Sequence, residues 1–462
     1  MGFGTLWVWK VLMRKYFGPK ITILTLFCSF FGAGMAKAQM RSELRYFSDS
    51  YISPAFEATN RSSYQFFGAN LKTVEHSEDE VKMDVSGAVA FGAPLLNYLN
   101  ISEFYYNHRQ GDNETFVLGR KRVLWSELDA RFDLGVWEPV FKWNPLAAER
   151  QGLTGLFWHT SKQSFAMTLF ASPLYIPDQG PSFEIDNGEF VRGNPWFRRP
   201  PESIRLFSQT QQIEYNFLRP SDSEIVFHTS YGARMILGDA DGLRAQFGHI
   251  YKPANQLALG YAGAFDIPKN KAIVDIQPEV FYHSLTSLDL SYKTGQVKWG
   301  LSGLYDRPNQ DPLFEEKWTR PVFSNATLIS PYVDIAFQGW ALSLSRLDVY
   351  GGKVREEGAL ASEDRPPLSN RYPFRQANQA ALISDWKLRR GQRVTSKVSY
   401  LQSELNEFSL LRLQGRYRWT KDWGFHVEAQ LVQAQELNKE NQNDIAQFSN
   451  NDRFMIGVSY AL

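Results

Sequence analysis

The stretch Asp452-Arg-Phe-Met-Ile-Gly-Val-Ser-Tyr-Ala-Leu462 decides how this chain is read. Every second residue back from the end is apolar: Leu462, Tyr460, Val458, Ile456 and Phe454. Between them stand Ala461, Ser459, Gly457, Met455 and Arg453, mostly small or polar. Successive side chains of a strand point to opposite faces, so one face is a continuous apolar stripe and the other is wettable. In water such a stripe needs a packed core behind it. In a bilayer it needs only lipid, provided that the strand belongs to a closed barrel.

The same alternation recurs upstream. Trp423, Phe425, Val427, Ala429 and Leu431 alternate with Gly424, His426, Glu428 and Gln430. Leu411, Leu413, Gly415, Tyr417 and Trp419 alternate with Leu410, Arg412, Gln414, Arg416 and Arg418. Thr420-Lys421-Asp422 joins the two as a tight turn. Similar pieces lie around 225–237, 257–266 and 297–305, and 378–404 holds two more. With Gly457, Tyr460 and an apolar terminus, the last strand resembles the C-terminal targeting strand of bacterial outer-membrane β-barrels. That family usually ends in Phe, where this chain has Leu462. The resemblance implies an all-β fold, a single antiparallel transmembrane β-barrel in the outer membrane. It also implies neighbours: outer-membrane lipid, lipopolysaccharide and a barrel-assembly machinery that reads Phe454 to Leu462.

Bulk numbers agree with such a wall. Aromatic residues make up 15% of the 462 residues, yet the mean hydropathy is −0.36. A barrel combines the two because lipid-facing and lumen-facing residues alternate. Roughly twenty candidate strands have the length that crosses a membrane when tilted. Strand number is even in such barrels, and about 18 strands are expected, within 16 to 20.

The start reads as a targeting segment. Lys10, Arg14, Lys15 and Lys20 precede an apolar run from Ile21 to Met35, and Ala36-Lys37-Ala38 supplies small residues for cleavage. A signal peptide is expected over 1–38, with cleavage near Ala38. Met13 is an alternative start. Cys28, the one cysteine, then leaves with it, which excludes disulfides and thiolate metal sites from the mature chain. Removing five cations and no acids takes the net charge from +1 to +1 − 5 = −4. So balanced a charge gives no argument for nucleic acid. Residues 39–63 are expected as a short lead-in, and 64–462 as the barrel.

Four irregular segments interrupt the alternation: 173–206, 306–326, 351–376 and 435–451, rich in Pro, Gly, Asn or charge. With the C-terminus on the periplasmic side, counting strands back places 306–326, 351–376 and 435–451 outside. The turns at 238–242, 293–296, 390–393 and 420–422 fall in the periplasm. The same count puts 173–206 on the periplasmic side, against its length. Either a strand is miscounted or this segment folds into the barrel.

The lumen is the expected functional surface. Arg412, Arg416 and Arg418 share one inward face; His426 and Glu428 share the next; Lys397 is a further inward candidate, as are Asp275, Glu279, Asp289 and Lys293. Charge ladders inside a pore bias solute passage; the bland alternative is that these groups pair to brace the wall. Asp178, Glu184, Asp186, Arg192, Arg198 and Arg199 are candidates for a constriction loop, since 173–206 mixes fixed Pro with charge of both signs. Trp125, Trp137, Trp143 and Trp158 are expected in a membrane-interface girdle, with an aromatic slide for sugars as the alternative.

The function expected is a porin-like channel for passive diffusion of small hydrophilic solutes through a charged lumen. Two alternatives stand beside it: a non-conducting barrel acting in adhesion or surface structure, and an outer-membrane hydrolase. The second rests only on His159 with Ser161 and His228 with Ser230, where no orienting carboxylate is evident. No enzymatic activity, cofactor or metal is expected, and the sequence leaves homo-oligomerisation open.

Overall fold

The structure, a computed structural model, describes residues 40–52, 62–73, 80–197, 200–206, 208–218, 220–311, 317–361, 371–373, 375–388, 391–403, 408–434, 448–449 and 451–462. The expected signal peptide lies outside them.

Eighteen strands form the wall: β1 (Met40–Tyr51), β2 (Ser63–Thr73), β3 (Glu80–Ala90), β4 (Tyr98–Gln110), β5 (Glu114–Lys121), β6 (Leu153–Lys162), β7 (Phe165–Ser172), β8 (Ser230–Gly238), β9 (Gly242–Pro253), β10 (Tyr282–Thr294), β11 (Val297–Asn309), β12 (Ala326–Phe337), β13 (Trp340–Gly351), β14 (Gln376–Lys387), β15 (Arg393–Ser403), β16 (Phe408–Arg418), β17 (Trp423–Ala434) and β18 (Arg453–Ala461). Each pairs antiparallel with its neighbours in the chain. β1 also pairs with β18, from Glu43 opposite Ala461 to Tyr51 opposite Arg453, so the wall closes. This corrects the expectation of a lead-in over 39–63: the wall begins at Met40. The outward residues of β1 include Ser42, Ser48 and Ser50, so its apolar stripe is faint in the sequence.

The outer face is apolar. Phe454, Ile456 and Tyr460 on β18 and Trp423, Phe425, Val427 and Leu431 on β17 are all exposed. Aromatic side chains gather toward the ends of the strands, with Phe337, Trp340, Trp386, Trp419 and Trp423 at one end and Tyr305 and Tyr350 toward the other. Such a surface is at rest in lipid, not in water.

The two ends differ. One carries the first and last described residues, Met40 and Leu462, and the turns, among them 163–164, 239–241, 295–296, 338–339 and 419–422. The other carries the long connections 122–152, 173–229, 254–281, 310–325 and 352–375; most of 435–451 lies outside the described residues. So 173–206 leaves from the same end as the other long segments. The physical reason is Gln209–Phe217, an alternating segment that belongs to a loop sheet; counting it as wall inverts the side of everything before it. That sheet has six strands in the order Ser203–Leu206, Gln209–Phe217, Lys271–Glu279, Ala258–Asp266, Thr319–Phe323, Val354–Gly358. It joins four connections over one end of the barrel. It also takes the 257–266 segment, with Asp275 and Glu279, out of the wall where alternation had placed them.

Candidate solute path

The connection 122–152 folds into the barrel. After Lys121 the chain turns inward and forms a short helix, α1 (Glu127–Phe132). Asp133 ends it with φ 49°, and a sharp reversal follows at Gly135. The buried Asp129 carboxylate holds that reversal, accepting from the N–H of Val136 at 3.0 Å and of Trp137 at 3.2 Å. Trp137 returns to stack on Trp125, rings 5.4 Å apart and 2° from parallel. A two-rung ribbon of Val140–Phe141 with Glu149–Arg150 then carries the chain back to β6.

Both sides of the wall grip this loop. On one side α1 docks against β10 to β13. Leu128 N–H donates to Ser302 Oγ at 3.1 Å and Glu127 N–H to Asp289 Oδ1 at 3.3 Å. Lys298 Nζ meets Glu127 at 2.8 Å. Arg131 reaches both oxygens of Asp334, at 2.9 and 2.6 Å, and Ser343 Oγ at 2.8 Å. Its guanidinium lies 3.6 Å from the centre of the Tyr332 ring. That ring occupies the space over Gly300, where a Cβ would come within 2.1 Å of it. Only glycine leaves room for this arrangement. Toward β9, Asn255 donates to the carbonyls of Gly135 and Val136, and Gln246 to those of Leu124 and Trp125. On the other side Trp143 packs on Phe66 and Tyr98. Asn144 donates to Gln430 at 2.8 Å, and Gln151 to Asn100 at 2.8 Å. Trp125, Trp137 and Trp143 are therefore buried in the lumen, which corrects their expected place in an interface girdle and removes the sugar-slide alternative for them. Trp158 alternates onto the outer face with Leu156.

The loop leaves one arc of the wall facing its tip. Asp133 approaches Arg412 at 3.7 Å. Pairing in register puts Arg393, Lys397, Arg412, Arg416 and Arg418 inward on β15 and β16, His426 and Glu428 inward on β17, and Arg453, Arg41, Glu43 and Arg45 inward on β18 and β1. Over β15 to β18 and β1 the inward faces hold eight Lys or Arg against three carboxylates, Glu428, Glu43 and Asp49. One of these, Glu43, serves three groups at once: Arg416 at 2.9 Å, His426 at 3.4 Å and Arg45 at 3.5 Å. Asp49 is committed to Arg453 in a buried pair. The small inward residues Gly424, Gly457 and Ala461 let the long side chains of β16 and β1 meet across the strands between them.

The residues singled out in 173–206 stand elsewhere. Asp178 braces the infolded loop, accepting from Val140 N–H at 2.8 Å and pairing with Lys142 at 3.0 Å. Glu184 and Asp186 are exposed on a ribbon of Phe183–Asp186 with Glu189–Gly193 at the long-connection end, where Arg192 lies opposite Glu184. Arg198 and Arg199 lie outside the described residues. Among the described residues, 122–152 is a segment that folds into the barrel, and Trp196 of 173–206 packs on the inward Tyr51. The sequence signal of 122–152 was a run of about thirty residues without alternation, carrying Trp-Glu-Pro and Trp-Asn-Pro. His159 bonds Thr168, and His228 bonds Tyr282 and the Glu224 carbonyl, so among the described residues neither histidine is set against its nearby serine.

No family model matches this chain, and no curated protein matches it. Solved structures similar to it include OccD3 (OpdP) of Pseudomonas aeruginosa, 11% identical, covering 93% of this chain and 91% of that one with a TM-score of 0.46. OccAB2 of Acinetobacter baumannii is 10% identical over 93% of this chain and 99% of that one, TM-score 0.46. A BenF-like porin from Pseudomonas fluorescens Pf-5 is 12% identical over 93% and 99%, TM-score 0.43.

Proposed function

We propose that the chain is an outer-membrane, porin-like channel for small hydrophilic solutes, without enzymatic activity, and that its narrow section prefers anions. The observation that carries this is the lateral charge contrast across the lumen. A loop tip bearing Asp133 faces an arc on which cations outnumber carboxylates eight to three. In a narrow, poorly screened passage such an excess concentrates counter-ions and raises the barrier for co-ions. Lys397, Arg412, Arg416 and Arg418 are the groups assigned to this work, with His426 and Glu428 setting its edge. Glu43 holds Arg416 in place instead of neutralising the arc.

The same reading gives the apolar outer face to lipid, and the stretch Phe454 to Leu462 to the machinery that inserts it. The test is planar-bilayer recording of the purified protein under a potassium chloride gradient. The wild type should show channel steps and a reversal potential displaced toward that of chloride. Lys397→Ala with Arg412→Ala and Arg416→Ala should move it toward that of potassium. A protein without steps would leave a non-conducting barrel, and an unmoved reversal potential would remove the role of the arc.

A further inference from the structure

Lys252, at the long-connection end of β9, is buried without a counter-ion. It is 2% exposed. Its ammonium donates to Asn255 Oδ1 at 2.6 Å and to the Pro253 carbonyl at 3.0 Å. The shorter distance is that of a charge-assisted bond. An ammonium has three protons, so one remains. Among the described residues no carboxylate forms an ion pair with Lys252. The acids that act on it from further away are committed: Asp178 to Lys142 and the N–H of Val140, Asp306 to Arg371 and Tyr372, Asp129 to the N–H groups of Val136 and Trp137. A cavity of about 20 Å³ lies beside it, lined by Lys252, Asn255, Thr154 of β6, Ser230 of β8 and Tyr175 among others. Thr154 Oγ1 is buried with no hydrogen-bond partner, and Ser230 is buried too. The acceptors around the cavity are already used. The Gly152 carbonyl takes the buried Arg120 guanidinium at 3.0 Å, which adds a second cation. The Pro139 carbonyl takes the Gln151 N–H at 2.8 Å. The Tyr175 hydroxyl is spent on the Ala254 carbonyl.

We propose that this cavity binds one halide ion, chloride or bromide, held by the Lys252 ammonium and the hydroxyls of Thr154 and Ser230. Three features select the occupant. The first is charge: an unpaired ion is costly to bury, and the chain brings no carboxylate to this one. The second is the donor set. A halide accepts from an ammonium and from hydroxyls and has no protons of its own. A water would have to place two protons on hydroxyls that then need acceptors themselves. The third is size. About 20 Å³ holds one water-sized species, which shuts out phosphate and carboxylate solutes. The position gives the ion its role. The cavity lies where the return of the infolded loop, at Gly152 to Thr154, meets Tyr175 of the next connection and the end of β9. Asn255 there also holds the carbonyls of Gly135 and Val136. A bound halide fastens the root of the infolded loop to the wall, and the proposal makes no use of the charged arc.

The test uses the full barrel purified in detergent. Crystals grown in sodium bromide should show one anomalous peak bounded by Lys252, Thr154 and Ser230, and crystals of Lys252→Met grown in the same way should lack it. In solution, unfolding in urea at fixed ionic strength should slow about fivefold or more when sodium gluconate, whose anion is too large for the cavity, is replaced by sodium chloride. Lys252→Met should remove that difference, and Thr154→Val should reduce it. Heat-modifiable migration on a gel checks that both variants are folded. Thr154→Val, close to the wild type in shape, carries the test if Lys252→Met does not fold. A cavity without a bromide peak, or with a water in its place, overturns the inference. So does a chloride effect equal in all three proteins. A peak that survives Lys252→Met marks an adventitious ion only and overturns it as well. Failure of the channel reading would appear in conductance and leave these results intact.

Discussion

Arg131, on the infolded helix, holds both carboxylate oxygens of Asp334 on the far wall, at 2.9 and 2.6 Å. The pair is half-buried and reinforced by Ser343 and by the face of Tyr332. It sets how far α1 reaches across the lumen. Asp334→Ala should cost about 1–3 kcal/mol, since it strands a guanidinium among polar neighbours. The informative readout is the current: single-channel conductance should rise and become noisier as the helix loosens. Unchanged, quiet conductance would show that the apolar contacts of Leu128 and Phe132 hold the helix alone.

Glu138 gives the loop a dependence on pH. Burial pushes its carboxyl up to about 8, although the N–H of Val123 and the cations Arg150 and Arg122 pull the other way. A raised folded pKa means that the fold favours the protonated acid. Its contribution is complete below the ordinary value of 4.5 and drains away as pH rises toward about 8. Urea unfolding in lipid vesicles should therefore show lower stability at about pH 9 than at about pH 5, by a few kcal/mol at most. Glu138→Gln should flatten that slope. A slope that survives the substitution places the titration on another group.

Val427 tests the outer face. It sits mid-strand on β17, exposed between Phe425 and Leu431. Val427→Arg should cost roughly 2–4 kcal/mol in a bilayer, read as a shift of the urea midpoint in vesicles. A mild effect there would mean that this face meets water or protein.

At the long-connection end, Tyr372 donates to Asp306 Oδ2 at 2.6 Å and Arg371 meets the same oxygen at 2.8 Å. His283, fully buried, takes the other oxygen at 3.1 Å. This clasp fastens the connection 352–375 to β10 and β11. Tyr372→Phe removes one hydrogen bond to a charged acceptor and should cost about 1.5–3 kcal/mol. Limited proteolysis should then cut within 352–375 faster than in the wild type, while the wall stays resistant. Equal cutting would show that the loop sheet holds the connection without the clasp.

The wall was legible where both of its faces obey one solvent each. In β16 to β18 the outward residues meet lipid and the inward ones meet charge or space, so period 2 is clean. It fails in β1, because the outward serines are weakly apolar and the inward Phe47 and Tyr51 pack against Phe66 and Trp196. Inside and outside then look alike. It misleads in Ala258–Asp266 and Gln209–Phe217, which alternate because one side of a loop sheet is covered. The infolded loop was hidden for a different reason. Tryptophan at a membrane interface and tryptophan filling a lumen carry the same sequence signal, and what separates them is the partner at long range: Phe66 for Trp143, Gly248 and Trp125 for Trp137. The inward charges of β16 and β17 could be read from sequence, but their imbalance could not, because Arg41 and Arg45 join the arc only through the pairing of β1 with β18.

That pairing has a consequence for biogenesis. The strand that completes the ring is β18, and its partner β1 is the first of the wall. Arg453 waits for Asp49, and Arg416 for Glu43, across 404 and 373 positions of chain. Until they meet, an open ring keeps two bare edges and several uncompensated ions on its inner lining. Closing the seam therefore pairs both edges and brings Arg453 and Arg416 to their carboxylates.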